Sequence, residues 1–507
     1  MSRREKSAEA VVAACKGRRA ERGEVFEAMS MLNARRQKSA LAERAGGAHG
    51  EAGREPVSDE ANSPRRDTES TGSALLTAAL TRGNLRQAWK RVKANKGAAG
   101  VDGLDIEQTA CHLVTAWPRI RDQLLRGTYR PNPVRRVTIP KPDGGERELG
   151  IPTVTDRLIQ QALLQVLQPL LDATFSEHSY GFRPGRRAHD AVLAAHGYVQ
   201  SGRKIVVDVD LEKFFDRVNH DILIDRLRKR IEDAGIIRVI RAYLNSGIMN
   251  DGVVLERYQG TPQGGPLSPL LANVMLDEVD KVLEKHGHCF ARYADDCNVY
   301  VRSRKAGERV MVLLRRCYAK LQLKVNEAKS AVASVKGRKF LGYSFWFAKG
   351  GVKRRVADKP MATFKQRVRQ LTRRSGGRSM AEVIDKLQPY LLGWKAYFGL
   401  AQTPRVWLSL DEWLRRRLRA IQLKHWKRGS TIYRELINLG AAEHVAKRVA
   451  GNSRCWWRNS AGDLHRVLTI AYFDKLGVSP SLMTSTSRTA RCGPACRVVW
   501  EGLGQVS

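Results

Sequence analysis

The sequence predicts an α+β fold built around an antiparallel sheet and followed by an all-helical region. Between residues 204 and 345, strand-like runs such as "KIVVDVD" and "CFARYADDCNVYVRS" (residues 289–303) alternate with helical segments at 219–233 and 266–286. This alternation has no regular βα period, which favours antiparallel pairing. After about residue 355 the apolar residues recur at helical spacing and the sequence is strongly basic.

The overall charge points to a polyanionic partner. The chain has 507 residues, with 89 Lys+Arg against 51 Asp+Glu and a formal net charge of +38. The excess is spread along the whole chain, which favours nucleic acid as the partner. The alternatives are a basic protein without such a partner and a protein of membrane surfaces. Since no run of about 18 apolar residues and no signal-peptide core occurs, we expect a soluble, intracellular protein.

The two ends of the chain differ in composition from the middle. Residues 1–72 are basic, and from Ala45 onward they contain almost no large apolar residue, so this extension is expected to be largely disordered. Residues 481–507 form an irregular tail that contains Cys492 and Cys496. These two lack a second cysteine pair and a nearby His, so free thiols in a reducing cytosol fit better than a zinc site.

The segment from about 73 to 203 is predicted to be helical with one hairpin. The stretch "VRRVTIPKPDGGERELGIPT" (134–153) consists of two short strands around an Asp-Gly-Gly turn. Helices are expected next, at 154–172 and at about 186–201. Further along the chain, "KFLGYSFWF" (339–347) is expected to form one strand of the α+β region.

Two groups of carboxylates stand out in a chain that is otherwise short of acid. Asp208 and Asp210 end an apolar strand and point to the same face, because side chains alternate along a strand. Asp295 and Asp296 occupy the turn of the 289–303 hairpin. If strand and hairpin pair, these carboxylates converge, and they then need either protons or a positive partner. Two Mg²⁺ ions would suit oxygen ligands together with substrate phosphates and would support nucleotidyl transfer. The alternative is a solvated Asp-Asp turn.

At these residues the sequence resembles a known family. The box "YADD" (293–296) is similar to the catalytic box of reverse transcriptases, and residues from about 90 to 430 resemble group II intron-encoded reverse transcriptase/maturases. The other blocks occur in family order: "NKGAAGVDG" (95–103), "IPKPDGGERELGIPTVTDRLIQQAL" (139–163), "SYGFRPGRRAHDAV" (179–192), "DLEKFFD" (210–216), "QGTPQGGPLSPLLAN" (259–273), "LQLKVNEAKS" (321–330), "KFLGYSF" (339–345), "GWKAYF" (393–398) and "WLRRRLRAIQLKHWKR" (413–428).

The resemblance implies a right-hand polymerase fold. Its fingers would comprise residues 73–203, and its palm, with the antiparallel sheet and the catalytic aspartates, residues 204–355. A helical thumb, or maturase-specific domain, would follow at 356–480. The tail at 481–507 has no HNH endonuclease pattern, which is typical of a bacterial, endonuclease-lacking lineage similar to class C. The extension at 1–72 is not part of the family pattern.

The resemblance also assigns the residues of a polymerase site. Asp210 and Asp295 would bind both metal ions, Asp296 would complete the carboxylate set and the Leu211 carbonyl would help. Phe215 matches an aromatic steric gate, where a bulky ring would clash with a 2′-hydroxyl and so favour dNTPs over rNTPs. The alternative for Phe215 is a core role beside its neighbour, and we assign that packing role to Phe214.

Nucleotide contacts are expected from three further blocks. Lys141 and Arg147 flank the Asp-Gly-Gly turn and match finger residues that close on an incoming triphosphate, since Lys and Arg suit phosphate oxygens. The resemblance places Gln263 and Gly264 against the nascent base pair and Lys329 near the triphosphate, as a candidate proton donor. The alternatives are solvated hairpin charges for Lys141 and Arg147, and an ordinary turn before a helix for the glycine block.

Nucleic-acid contacts are expected from the basic helix at 413–428. Leu414, Leu418 and Ile421 form its apolar stripe, and the basic side chains mostly off that stripe face either nucleic acid or solvent. Trp394 and Tyr397 are interpreted as core, whereas the pair at 456–457 is left open between core and base stacking. The residues proposed to contact nucleic acid are Arg183, in the finger block, and Arg415, Arg416, Arg419 and Lys427.

The function that the resemblance implies is that of an RNA-directed DNA polymerase and intron maturase. Such a protein binds group II intron RNA, assists its splicing and copies it into DNA at a target, using dNTPs, a DNA primer and Mg²⁺, in the bacterial cytoplasm at the nucleoid, either alone or as a homodimer. One alternative is an RNA-binding splicing chaperone without polymerase activity. Another is a reverse transcriptase of the retron or diversity-generating lineages.

Overall fold

The computed structural model describes residues 73–140, 146–250, 253–255, 259–261, 264–462 and 464–477. The predicted N-terminal extension at 1–72 and the predicted tail at 481–507, with both of its cysteines, lie outside these residues. So do Lys141 and Gln263. No helix in the described ranges is long and apolar enough to cross a membrane.

The first part of the chain is helical and carries one long hairpin, as the sequence predicts. Thr153 caps the helix after the hairpin by accepting a hydrogen bond from the Asp156 amide. Asp156 is itself buried and accepts hydrogen bonds from the Tyr129 and Tyr243 hydroxyls, so it ties this helix to two other segments. The elements are α1 (Ala74–Ala79), α2 (Arg82–Ala94), α3 (Ile106–Arg126), β1 (Val134–Pro140), β2 (Glu146–Ile151), α4 (Val154–Asp172) and α5 (Ala188–Gln200).

The central sheet is antiparallel and consists of β3 (Ile205–Val209), β6 (Cys289–Tyr293), β7 (Asp296–Val301) and β8 (Ala331–Ser334), in the spatial order β6-β7-β3-β8. Strand β3 pairs with β7 so that Asp208 lies opposite Asn298 and Val209 opposite Cys297, which confirms the expected pairing of the acidic strand with the hairpin. The elements of this region are β3 (Ile205–Val209), α6 (His220–Arg228), α7 (Ala234–Leu244), β4 (Ile248–Asn250), β5 (Val253–Leu255), α8 (Ser268–Lys285), β6 (Cys289–Tyr293), β7 (Asp296–Val301), α9 (Arg304–Lys320) and β8 (Ala331–Ser334).

Two predicted elements of this region are interrupted. The helix expected at 219–233 ends at Arg228, and Asp233 begins a new helix by capping the Ile236 amide with its carboxylate. The single strand expected at 339–347 is two strands, β9 (Lys339–Phe340) and β10 (Tyr343–Ala348). Between them Leu341 and Gly342 have left-handed backbones, with φ of 49° and 77°, and such a conformation cannot continue a strand.

Two further sheets, one of four strands and one of three, contain the remaining strands. Strands β1 and β2 join the β4–β5 hairpin, with β1 and β4 parallel. Strand β10 pairs with β9 and with β11 (Gly351–Val356). The rest of the described chain is helical: α10 (Asp358–Leu371), α11 (Met380–Phe398), α12 (Pro404–Trp426), α13 (Gly429–Asn438), α14 (Glu443–Gly451), α15 (Trp456–Asn459), α16 (Leu464–Val467) and α17 (Ile470–Lys475).

The helical region packs around Trp394, which is fully buried. Its ring lies 4.1 Å from that of Phe364, 4.9 Å from Phe398 and 5.2 Å from Trp407, measured between ring centroids. The core interpretation of Trp394 is therefore confirmed. Tyr397 is partly buried and donates a hydrogen bond to the Leu341 carbonyl, at 3.1 Å. It links α11 to the β9–β10 junction.

Replacing Trp394 with Ala should destabilise the helical region strongly. Removing a buried aromatic side chain costs about 3–5 kcal/mol, because the cavity does not close. Thermal unfolding followed by circular dichroism measures the loss. The matched control is Trp457→Ala, since Trp457 is 38% exposed and its removal leaves no cavity. Equal melting temperatures for the two variants would disprove the central packing role.

Candidate active site

The Asp-Asp turn is a two-residue hairpin loop. Tyr293 and Asp296 are paired across β6 and β7, so Ala294 and Asp295 form the tip. Ala294 has a φ of 56°, as the first central residue of a type II′ turn requires. Glycine is the residue that adopts this conformation without strain, so the turn needs support from its surroundings.

A buried arginine supplies that support. Arg292 has no solvent exposure, and one Nη donates to the Ala294 carbonyl at 2.9 Å and to Asn273 at 3.0 Å. Its Nε and other Nη donate to the Asp280 carboxylate, the shorter distance being 2.6 Å, and Ser179 accepts a further bond at 2.7 Å. A buried charge is stable only when it is paired and hydrogen-bonded, and Arg292 satisfies both conditions.

The "SYGFRPG" block braces the same turn with its backbone. The Tyr180 amide donates to the Arg292 carbonyl at 2.8 Å, and the Arg292 amide donates to the His178 carbonyl at 2.9 Å. At Gly181, a Cβ would lie 2.2 Å from the Ala294 nitrogen. Only glycine therefore allows this close approach. The block packs directly against the turn that carries Asp295 and Asp296.

Sequence reasoning missed this bracing network. Asp277 and Asp280 are fully buried on α8, within the apolar run "LLANVMLDEVDKVL". Three acids in a run otherwise suited to a core were the available signal, because buried carboxylates are rare unless they are paired. Their partners, Arg230 for Asp277 and Arg292 for Asp280, lie on other elements and are not visible in a local pattern.

Asp210 is fixed by its backbone just beyond strand β3. The Ser330 hydroxyl accepts from the Asp210 amide at 3.0 Å, and the Asn326 amide donates to the Asp210 carbonyl at 2.8 Å. An isolated bridge pairs Leu211 with Val325. The two hydrogen bonds of this bridge involve the Asp210 carbonyl and the Glu212 amide. The Leu211 carbonyl takes part in neither of them. Ser330 and Asn326 belong to the "NEAKS" block but were not among the predicted site residues.

Strand pairing places the predicted carboxylates on neighbouring segments: Asp210 follows Val209 and Asp296 precedes Cys297, and Val209 and Cys297 are paired across β3 and β7. Burial is the main cause that raises the pKa of Asp296 well above its usual range, and the negative charges of Asp295, Asp210 and Asp208 raise it further. Asp296 as a whole residue is nevertheless exposed to solvent. Asp208 forms an ion pair with Arg338 at 3.4 Å, and burial raises its pKa. Asp208 is thus a fourth acid beside the predicted three.

These acids fit an ion that is shared with a substrate. Within the described ranges, no three acidic, Cys or His side chains are close enough to enclose a metal ion by themselves. Magnesium usually takes only one or two carboxylates and completes its shell with water and substrate phosphates. The mutual repulsion that raises the pKa of Asp296 would be relieved by a cation, so the donor set suits Mg²⁺.

The other residues predicted to contact the nucleotide lie in different surroundings. Lys329 lies 3.9 Å from the Asp210 carboxylate, between its Nζ and Oδ2. Phe214 is buried, whereas Phe215 is partly exposed, which agrees with the separate roles expected for these two rings. A Cβ on Gly264 would lie 2.6 Å from the Gly150 carbonyl, so this glycine packs against strand β2. Arg147 lies on β2 opposite Ile139.

The expectation that Arg183 contacts nucleic acid is wrong. Its side chain is 4% exposed and forms an ion pair with Asp172 at 2.8 Å. It also donates to the Ser176 carbonyl at 2.5 Å and to the Ser179 carbonyl at 3.1 Å. Its donors are therefore used within the protein, where they fix the loop that carries the bracing block.

Two arginines of the basic helix are also buried. Arg415 faces Asp474, with 3.6 Å between Nη2 and Oδ1, and Arg419 donates to the Leu468 carbonyl at 3.0 Å. The expectation of nucleic-acid contacts is contradicted for both, because the last described helices cover this flank of α12. Arg416 is partly exposed and Lys427 is exposed, and Leu414, Leu418 and Ile421 form the buried stripe as predicted.

Two segments of the chain match known protein families. Residues 139–345 match the family described as "Reverse transcriptase (RNA-dependent DNA polymerase)". This range contains the antiparallel central sheet and Asp208, Asp210, Asp295 and Asp296. Residues 361–438 match the "Group II intron, maturase-specific domain". The chain therefore contains, in this order, a segment that matches reverse transcriptases and a segment that matches the maturase-specific domain of group II introns.

Individual relatives agree with these two matches. "Protein YkfC" of Escherichia coli is 37% identical over 207 residues, which is 40% of this chain and 54% of that protein. "Group II intron-encoded protein LtrA" of Lactococcus lactis is 37% identical over 195 residues, covering 38% of this chain and 32% of that protein. The chain thus matches between a third and about half of the length of these relatives.

A solved structure is also similar in sequence. The "Partial Cas6-RT-Cas1--Cas2 complex" is 28% identical and covers 48% of this chain and 42% of that chain, with a TM-score of 0.33. A score this low does not establish a shared fold, so the architecture rests on the sheet topology and the two domain matches.

Replacing Asp280 with Asn should destabilise the protein strongly. The change leaves the buried Arg292 without its counter-charge, and breaking a buried ion pair costs about 3–5 kcal/mol. Chemical denaturation measures the loss. Asp225→Asn is the control, since Asp225 pairs with Lys229 on the surface, and it should leave stability unchanged. Equal stability of Asp280→Asn and the wild type would contradict the bracing role.

Proposed function

We propose that this protein is an RNA-directed DNA polymerase and intron maturase, which binds group II intron RNA, assists its splicing and reverse-transcribes it at a DNA target. The observation that supports the polymerase part is the pairing of β3 with the β6–β7 hairpin inside the reverse transcriptase match, since Asp210 follows β3 directly and Asp295 and Asp296 lie at the turn of that hairpin. A purely structural role would not need the charges of Asp295 and Asp210 beside Asp296, where they add to the burial that raises the pKa of Asp296. The maturase-specific domain supports intron RNA as the partner.

The proposed architecture is a right hand. Fingers at residues 73–203 and a palm at 204–355 agree with the position of the hairpin β1–β2 and of the central sheet. A thumb, or maturase-specific domain, at 356–480 agrees with the helices from α10 onward. A homodimer, the DNA primer and association with the nucleoid remain predictions from the family resemblance.

The proposed site would hold two Mg²⁺ ions through Asp210, Asp295 and Asp296, with the Leu211 carbonyl as a further ligand. When bound, such a pair of ions would supply the charge that activates a 3′-hydroxyl for attack and stabilises the leaving pyrophosphate. The chain's own part is to fix the ligands, through Arg292 beneath the turn and through Ser330 and Asn326 at the Asp210 backbone.

Substrate positioning is assigned to the residues around the acids. Lys329 is close enough to Asp210 to contact a triphosphate bound there, and its three donors suit phosphate oxygens. Lys141, Arg147 and Gln263 are proposed to contact the same nucleotide. Gly264, which lies against the finger hairpin, would let the backbone approach the nascent base pair.

Replacing Asp295 and Asp296 together with Asn should abolish Mg²⁺-dependent DNA synthesis. Removing a single preorganised electrostatic group costs about 10²- to 10³-fold in rate, so the double variant should lose at least about 10²-fold. Primer extension on an RNA template measures the rate, and filter binding measures RNA affinity, which should not change. Asp221→Asn is the control, because Asp221 pairs with Arg241 on the surface. Retained extension by the double variant would favour a splicing chaperone without polymerase activity.

Replacing Phe215 with Ala should relax the choice of sugar. If the ring excludes a 2′-hydroxyl, its removal should raise rNTP relative to dNTP incorporation by about 10- to 200-fold, the range for one small group in a pocket. Single-nucleotide extension with paired dNTP and rNTP measures the ratio. Phe214→Ala is the control, since Phe214 is buried and its loss should lower stability without changing the ratio. An unchanged ratio for Phe215→Ala would disprove the gate.

A further inference from the structure

Three tryptophans of the helical region are stacked against five cations. Arg369 and Arg417 lie over Trp413, with 5.7 and 5.5 Å from the guanidinium carbon to the ring centroid. Arg374 and Lys424 lie over Trp456 at 6.0 and 5.2 Å. Arg416 lies over Trp457 at 4.2 Å. We call these eight side chains the tryptophan–cation surface.

The stacks share one face of helix α12. Trp413, Arg417 and Lys424 recur at intervals of four and seven residues, which places them on one side of a helix. Over this distance the helix rises roughly 16 Å. The other members come from α10 and the residues after it, and from the short helix α15, which packs against α12. The surface is therefore continuous and extended.

Its positive charge is not compensated. Residues 359–381, 413–434 and 451–462, which supply the whole surface, contain no Asp or Glu. None of its cations forms an ion pair with a carboxylate of the described chain. Burial, and then the charges of Arg374 and Arg369, lower the pKa of Arg417. A cluster of cations without counter-charges attracts a polyanion.

One aromatic ring of the tryptophan–cation surface is open to solvent. Trp457 is 38% exposed, although Arg416 covers part of its ring.

We propose that the tryptophan–cation surface binds single-stranded RNA, with an unpaired base stacked on Trp457 and its phosphates contacted by Arg374, Arg416 and Lys424. Aromatic faces can stack only on bases that are not paired, whereas a duplex offers phosphates and sugar hydroxyls alone. This inference rests on the proposed function for the identity of the RNA. Together with that function, it assigns to the surface the unpaired segments of the intron.

The test compares two RNAs of about ten nucleotides, a length within the usual single-strand site sizes. One is an unstructured strand and the other is a blunt duplex. Wild type, Trp457→Ala, Trp457→Phe and Phe347→Ala are measured by fluorescence anisotropy. Phe347 is the matched control, because it is 37% exposed and Lys204 lies 5.5 Å above its ring, far from α12 in sequence.

Trp457→Ala should bind the single strand roughly 5- to 150-fold more weakly, as expected for the loss of one base stack, and the duplex with unchanged affinity. Trp457→Phe should retain most of the single-strand affinity, and Phe347→Ala all of it. Equal losses for both RNAs, or no loss for either, would overturn the proposal. Primer extension by the wild type is measured in parallel, so that failure of the polymerase proposal is seen separately from failure of this one.

Discussion

The buried ion pair between Arg292 and Asp280 is the contact on which the candidate site depends. It joins helix α8 to strand β6, and the same guanidinium holds the carbonyl of Ala294 at the strained turn. A residue other than glycine in a left-handed turn costs about 1–3 kcal/mol, and the network below the turn offsets that cost. The acids of the turn are therefore presented by a rigid support, as a preorganised site requires.

This support draws on parts of the chain that are far apart in sequence. Ser179 and Gly181 contribute from the block after α4, Asn273 and Asp280 from α8, and Arg292 from the hairpin itself. Each is needed for a physical reason: Gly181 because a Cβ would clash, the others because a buried guanidinium must have all its donors used. The strand that carries Asp210 is fixed separately, by Ser330 and Asn326.

The sequence was sufficient for the features that depend on local pattern. Strand patterning predicted that the strand before Asp210 would pair with the hairpin of Asp295 and Asp296, and helical spacing predicted the buried stripe of Leu414, Leu418 and Ile421. The burial of Arg183, Arg415 and Arg419 was not predicted, because no local pattern shows which flank of a helix a later segment will cover. The break at Leu341 and Gly342 was missed for a related reason, since a left-handed leucine has no composition signal.

The central claim is that Asp210, Asp295 and Asp296 hold divalent metal ions beside a bound nucleotide. Its most direct test is a crystal structure of the full chain with template, primer and dNTP, grown with Mn²⁺ in place of Mg²⁺ and measured at the manganese absorption edge. We expect anomalous peaks between the Asp210 and Asp295 carboxylates, separated by about 3.5–4 Å. Peaks elsewhere, with a nucleotide bound and these carboxylates bare, would refute the account.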